Sequence, residues 1–151
     1  MRYSKIIACS AIFLVTLVAA TVVEAQGPKL PGDKLMTPED LVKVLKSSGT
    51  KPVILNVGPR MLFMQAHIPG AEYIGAGSEP QGIEALKQRV KSLKKTTSIV
   101  LYCGCCPWYH CPNVEPAFRQ LRSMGFTNVK VLYIANNLGV DWVYKGYPTV
   151  R

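Results

Sequence analysis

The sequence predicts an α/β fold in which a central parallel sheet is covered by helices on both faces. Two observations support this prediction. Three short, almost wholly apolar segments, residues 53–57, 99–102 and 129–134, have the composition of strands that are buried on both faces. Segments with helical spacing of apolar residues alternate with them, as expected when helical crossovers join parallel strands.

The first helix is predicted to begin after Thr37. A threonine there can cap the helix, Pro38 suits its first turn, and two acidic residues follow at the positive end of the helix dipole. Leu41, Val44 and Leu45 supply its buried stripe, and the Ser48-Gly49 pair is expected to end it.

Three more helices are predicted, over residues 82–93, 114–124 and 138–144, the last being a short closing helix. The stretch between the first predicted strand and the second helix is expected to be irregular. Within it, only Tyr73 and Ile74 are predicted to form a short strand.

Residues 1–25 have the pattern of a secretory signal peptide. Two basic residues precede an apolar run over residues 6–23, and Val23-Glu24-Ala25 offers small residues at the positions that signal peptidase reads. We therefore predict cleavage after about Ala25 and a periplasmic or secreted protein that does not contact the membrane. The alternative is that the apolar run is retained as a membrane anchor.

The remaining chain is predicted to be a linker over residues 26–36 followed by a single domain over residues 37–151. Together these segments carry 16 basic and 8 acidic residues, a formal charge of +8. This balance favours anionic ligands, but nucleic acid is not an expected partner of an exported protein. Several of the lysines recur at helical spacing and are interpreted as a solvated helix face.

Four cysteines lie close together in one predicted loop: Cys103, Cys105, Cys106 and Cys111. A scaffold held by disulfides would distribute its cysteines to connect distant segments, so local chemistry is the better explanation. The loop directly follows a predicted buried strand. It therefore lies at the carboxyl edge of the sheet, where proteins of this class bind ligands.

These residues leave several chemistries open. Cys103 and Cys106 form a C-x-x-C pair suited to disulfide exchange, and a Cys106–Cys111 bridge could brace the loop. A zinc or copper(I) site formed by the cysteines and His110 is disfavoured, because ligands so close in sequence are hard to arrange tetrahedrally. No metal and no other cofactor is predicted.

Four motifs, taken in order, resemble the single-domain rhodaneses of the rhodanese-like sulfurtransferase family. They are VILNVGPR at 53–60, AHIPGAEYI at 66–74, IVLYC at 99–103 and LGVDWVYKGYPTV at 138–150. The resemblance covers roughly residues 37–147 and implies a rhodanese-like fold, with a central parallel sheet and helices on both faces.

The resemblance also implies a function and a nucleophile. Cys103 matches the cysteine that, in this family, takes a sulfane sulfur from thiosulfate or another persulfide. The resulting cysteine persulfide passes the sulfur to cyanide or to an acceptor thiol, which can belong to a protein. We expect Cys106 to assist as a resolving thiol, and the amides of Gly104 to Cys106 to favour the thiolate of Cys103.

The loop also departs from the family pattern. It is several residues longer than usual and contains no arginine, and Asn56 and Gly58 replace the common Asp and Arg. Arg60 is expected to supply the missing cation. The predicted substrate-binding residues are thus Gly104, Cys105, Trp108, His110 and Arg60. The alternative to an enzyme is a non-catalytic rhodanese-like module, or a thiol-redox or metal-binding protein that uses the cysteine-rich loop.

Overall fold

The computed structural model describes residues 27–151 and confirms the predicted α/β fold. The predicted signal peptide lies outside the described residues. Five parallel strands form one sheet in the order β1-β5-β4-β2-β3. They are β1 (Leu35–Met36), β2 (Val53–Asn56), β3 (Ala71–Tyr73), β4 (Ile99–Tyr102) and β5 (Val129–Leu132).

Four α-helices connect the strands. They are α1 (Pro38–Lys46), α2 (Arg60–Gln65), α3 (Pro80–Val90) and α4 (Val114–Ser123), and a π-helical turn over Gly139–Val143 follows β5. The predicted cap of α1 is confirmed, because the amide of Asp40 donates to Thr37 Oγ1 at 3.1 Å. Within residues 27–151, no helix combines the length and the apolar character needed to cross a membrane.

The alternation of side chains along β4 divides the core into two layers. Ile99, Leu101 and Cys103 face the layer that contains α3 and α4. Val100 and Tyr102 face the opposite layer, which contains α1 and the buried Trp142 of the closing turn. All four residues of β4 are buried, and Cys103 follows them at the carboxyl edge of the sheet.

Two elements were not predicted. The segment expected to be a linker contains β1, which pairs Leu35 with Val131 and Met36 with Leu132. Two residues are too few to show a strand periodicity, so the pairing depends on contacts made in the folded protein. The stretch expected to be irregular contains α2, which is only six residues long and carries no buried residue.

Gly77 allows the segment after β3 to cross the amino end of α4 closely. A Cβ atom on residue 77 would lie 2.2 Å from the carbonyl oxygen of Asn113 and 3.3 Å from Cβ of Ala117. Gly77 is itself held in place, since its amide donates to the carbonyl of Val57 at 3.0 Å.

We expect the Gly77→Ala substitution to lower the free energy of unfolding by about 1–3 kcal/mol, because the backbone contact must open. Urea denaturation measures this change. Gly32→Ala is the matched control, since a Cβ atom there meets nothing within 4 Å. Its effect should remain below about 1 kcal/mol in either direction. Equal unfolding free energies for the two variants would contradict the close crossing.

Candidate active site

Cys103 lies where β4 ends and forms part of the wall of a cavity of about 240 Å³. The residue is only 5% exposed, whereas Leu62, another lining residue, is 40% exposed, so the cavity extends from Cys103 to the surface. Every described lining residue is uncharged: Asn56, Leu62, Phe63, Gln65, Ala66, Cys103, Gly104, Cys105, Asn137, Leu138, Gly139 and Val143.

The cysteine sulfurs form a contiguous row. Sγ of Cys103 lies 3.2 Å from Sγ of Cys105, which in turn lies 3.1 Å from Sγ of Cys106. Cys111 lies beside them and lines a small cavity together with Cys103 and Cys106. All four residues are free thiols. The loop therefore brings together the four cysteines that the sequence places within nine positions.

The side chain of Asn113 connects this row of sulfurs to the rest of the fold. Its Nδ2 donates to Sγ of Cys103 at 3.3 Å and lies 4.0 Å from Sγ of Cys105. Its Oδ1 accepts from both the amide and the hydroxyl of Ser78, at 3.1 and 2.9 Å. Because these two donors hold Oδ1, the orientation of the amide is determined and its N–H groups face the sulfurs.

On the other side of Cys103, the end of β2 holds the backbone. Nδ2 of Asn56 donates to the carbonyl of Cys103 at 3.3 Å, and its Oδ1 accepts from the amide of Gly58 at 3.1 Å. A Cβ atom on residue 58 would lie 3.0 Å from both the carbonyl oxygen and the sulfur of Cys103. Glycine is thus the residue that leaves room for this sulfur.

The four thiols differ strongly in acidity. Hydrogen bonds with Cys103 and Cys105 lower the pKa of Cys111, and the backbone amides of Asn113 and Val114 add to this effect. Those amides belong to the amino end of α4, where helix amides and the helix dipole favour an anion. We therefore expect the first thiolate of the cluster to form on Cys111.

The other three thiols stay protonated to higher pH. At Cys103 the hydrogen bond with Cys105 lowers the pKa, but the hydrogen bond with Cys111 and burial outweigh it, and the net shift is upward. A hydrogen bond with Cys103 raises the pKa of Cys105, and burial raises the pKa of Cys106. A second negative charge among sulfurs this close together is unfavourable.

The backbone amides that were predicted to surround Cys103 are shared between two sulfurs. The amide of Cys105 hydrogen-bonds to Cys103 and lowers the pKa of that thiol. The amides at the start of α4 act on Cys111 instead.

The sequence also predicts that Cys106 assists Cys103. In the structure, the sulfur that contacts Cys106 at 3.1 Å belongs to Cys105.

The other predicted substrate-binding residues lie around the site rather than in the cavity. Trp108 forms the wall of a second, small cavity with Cys106 and packs against Tyr133, with ring centroids 5.0 Å apart. His110 is exposed and packs on Tyr109. Arg60 is exposed at the first residue of α2 and is not among the described residues that line the 240 Å³ cavity.

The residues described by the structure include no group of three or more His, Cys, Asp and Glu side chains arranged to hold a metal ion. The sulfur–sulfur distances of 3.1 and 3.2 Å are shorter than the edge of about 3.8 Å that tetrahedral Zn–S bonds require. In this arrangement the sulfurs hydrogen-bond to one another.

Asn113 and Ser78 were not predicted as site residues. Asn113 immediately precedes α4, and asparagine is preferred before a helix, so its position is consistent with a helix cap alone. Its side chain instead turns to Ser78 and Cys103. Since these partners lie 35 and 10 positions away in sequence, the contacts depend on the tertiary fold.

The fold and the site define an α/β domain that presents a cysteine at the end of a central parallel strand. The family model described as the rhodanese-like domain matches residues 37–133, and the chain belongs to this family. The match confirms the resemblance inferred from the four motifs. No curated protein matches the chain.

Solved structures agree with this assignment. The rhodanese-like domain of the Alr3790 protein from Anabaena has 26% identity and a TM-score of 0.56, over 78% of each chain. The BH2092 protein from Bacillus halodurans, at 22% identity and a TM-score of 0.58, shares the fold over 76% of this chain and 74% of its own. A cysteine-to-serine variant of EanB in complex with hercynine has 25% identity and a TM-score of 0.52, over 78% of this chain and 27% of its own.

The thiolate assigned to Cys111 can be observed directly. Because the pKa of Cys111 is lowered, its anion should persist as the pH falls below the ordinary thiol range, so ultraviolet thiolate absorbance should remain at about pH 6. We expect Cys111→Ser to remove this absorbance at that pH. Cys106→Ser is the control and should retain it. Undiminished absorbance in Cys111→Ser would contradict the assignment.

The role of Asn113 is tested by replacing its amide with a carboxylate of the same shape. In Asn113→Asp an oxygen replaces the nitrogen 3.3 Å from the sulfur, and its negative charge should raise the pKa of Cys103 further. We expect alkylation of Cys103 at neutral pH, followed by mass spectrometry, to become about tenfold slower or more. Asn128→Asp, at an exposed position, should react at the wild-type rate. Equal rates in the two variants would contradict the role of Asn113.

Proposed function

We propose that this protein is a rhodanese-type sulfurtransferase that carries sulfane sulfur as a persulfide on Cys103. The observation that carries the proposal is the position of Cys103 at the end of the central strand, facing a cavity that reaches the surface. Membership of the rhodanese-like domain family supports it. The amide of Asn113, 3.3 Å from the sulfur, is a donor that favours the thiolate.

The first half-reaction loads the cysteine. The thiol of Cys103 first gives its proton to solvent through the cavity that it lines. The thiolate of Cys103 then attacks the outer sulfur of a donor persulfide, R–S–SH. A sulfur–sulfur bond forms on Cys103 as the donor's sulfur–sulfur bond breaks, and R–S⁻ leaves.

The second half-reaction passes the sulfur on. An acceptor thiolate attacks the outer sulfur of the Cys103 persulfide, becomes a persulfide itself and returns Cys103 to the thiolate. Cys103 is nearly buried, so the acceptor must enter the cavity. A volume of about 240 Å³ suits a small thiol or the tip of a cysteine side chain presented by another protein.

The cavity favours a persulfide over thiosulfate as the donor. Thiosulfate carries two negative charges, and removing them from water is costly unless a cation or several N–H donors compensate. The described lining residues are all uncharged, and Arg60 is not one of them. A persulfide with a single sulfur-borne charge loses less hydration on entering the cavity.

The proposal places this chemistry outside the cytoplasm, on the basis of the signal-peptide pattern in residues 1–25. The natural donor and acceptor would then be exported thiols and persulfides. In an oxidising compartment, free thiols such as those of the cluster persist only when a reductant maintains them.

Cyanide-releasable sulfur tests the proposal. Reduced protein is incubated with cysteine persulfide or with thiosulfate, freed of donor and treated at once with cyanide; thiocyanate and the hydrosulfide released during loading are measured. We expect one sulfur per protein in the wild type, as the sum of the two products, and none in Cys103→Ser. Loading by the persulfide should be about tenfold faster or more than loading by thiosulfate, because of the desolvation cost of the dianion.

Tyr144→Phe is the control, since Tyr144 is 83% exposed and is not among the lining residues of the cavity. It should load like the wild type. Neither thiocyanate nor hydrosulfide with either donor, or undiminished release from Cys103→Ser, would refute the proposed function. Faster loading by thiosulfate would refute the preference for a persulfide donor.

A further inference from the structure

We propose that Cys105 is the resolving thiol of this site. It attacks the persulfide on Cys103, closes a Cys103–Cys105 disulfide and releases the sulfane sulfur as hydrosulfide. This inference rests on the proposed function, since it requires Cys103 to carry the persulfide.

The geometry of the two sulfurs supports the inference. They lie 3.2 Å apart, and closing a disulfide requires them to approach by a further distance of about 1.2 Å. Nδ2 of Asn113 faces both sulfurs, at 3.3 and 4.0 Å, so a charge that moves from one sulfur to the other stays beside the same donor. Both cysteines line the 240 Å³ cavity, through which hydrosulfide can leave.

The turn at Gly104 sets the positions of Cys103 and Cys105 relative to each other. Gly104 has a φ of +71°, a conformation that glycine adopts without strain, and its carbonyl accepts from the amide of Leu138 at 2.9 Å. A Cβ atom on residue 104 would lie 2.9 Å from Cβ of Leu138. The turn is therefore specific for glycine, and it directs the side chains that flank it toward each other.

Cys106, the resolving thiol expected from the C-x-x-C spacing, is placed differently. Its sulfur contacts Cys105 at 3.1 Å, and it lines the small cavity beside Trp108. Among the hydrogen bonds of residues 27–151, none joins Cys103 to Cys106. Cys105 thus stands between the nucleophile and the residue expected to resolve it.

The step balances without an added oxidant. The reactants are the Cys103 persulfide and the Cys105 thiol. The thiol of Cys105 gives its proton to solvent through the cavity that both cysteines line, and its sulfur attacks the inner sulfur of the persulfide. The new Cys103–Cys105 bond replaces the persulfide bond, and the outer sulfur leaves as HS⁻ with two electrons. The two cysteine sulfurs are oxidised and the sulfane sulfur is reduced.

The sulfur of the Cys103 persulfide can therefore leave by two routes. With an acceptor thiol in the cavity, the sulfur moves on as a persulfide. Without one, it leaves as hydrosulfide and the protein remains as a disulfide. A dithiol reductant, which gives two electrons and two protons and becomes a disulfide itself, then regenerates the two thiols.

A single-turnover experiment tests this role. Reduced wild type, Cys105→Ser and Cys106→Ser are loaded with cysteine persulfide and desalted rapidly into buffer without thiol. Cyanide-releasable sulfur, free hydrosulfide and intact mass are then followed with time. The wild type should release one hydrosulfide and lose two hydrogens, whereas Cys105→Ser should keep the added sulfur atom about tenfold longer or more.

Cys106→Ser is the matched control and should behave like the wild type. Decay of the persulfide in Cys105→Ser at the wild-type rate, or its retention in Cys106→Ser instead, would overturn the role of Cys105 while leaving the proposed function intact. Failure of the wild type and of both variants to acquire sulfur would overturn the proposed function and this inference together.

Discussion

The hydrogen bonds of the Asn113 side chain are the interaction on which this site depends. Asn113 is 4% exposed, and an amide so deeply buried destabilises the fold unless its donors and acceptors are satisfied. Ser78, in the segment that leads into α3, donates two hydrogen bonds to the side-chain oxygen of Asn113. Cys103, at the end of β4, accepts a hydrogen bond from the side-chain nitrogen of Asn113. One side chain thus connects three separate parts of the chain. The polar arrangement around the sulfur is a consequence of how the helices pack on the sheet.

The packing of the four cysteines also limits the negative charge that their sulfurs can carry. Sulfurs within 3.2 Å of their neighbours share protons, and in a region of low dielectric one negative charge is favourable where two are not. The side chains of Cys103 and Cys105, together with amides at the amino end of α4, lower the pKa of Cys111, whereas the net shift at Cys103 is upward. Reaction at Cys103 therefore requires this thiol to lose a proton that it holds strongly.

The sequence predicts best what depends on composition and local pattern. Residues 99–102 are predicted and observed as β4, because a run of β-branched and apolar residues is typical of a strand buried on both faces. The helix α2, at Arg60–Gln65, is not predicted, because it is short and exposed and so shows no buried apolar pattern. In the loop, spacing alone points to Cys106 as the partner of Cys103. The positive φ of Gly104, which brings Cys105 into contact instead, depends on packing against a distant residue.

The departures of this chain from the family pattern have a common physical consequence. Gly58 makes room for the sulfur of Cys103 where the family commonly has an arginine, and the loop after β4 supplies thiols and an amide in place of cationic donors. A cavity without charged lining residues attracts small dianions only weakly. Under the proposed function, this lining and the neighbouring thiols both favour a persulfide donor over the oxyanions of sulfur.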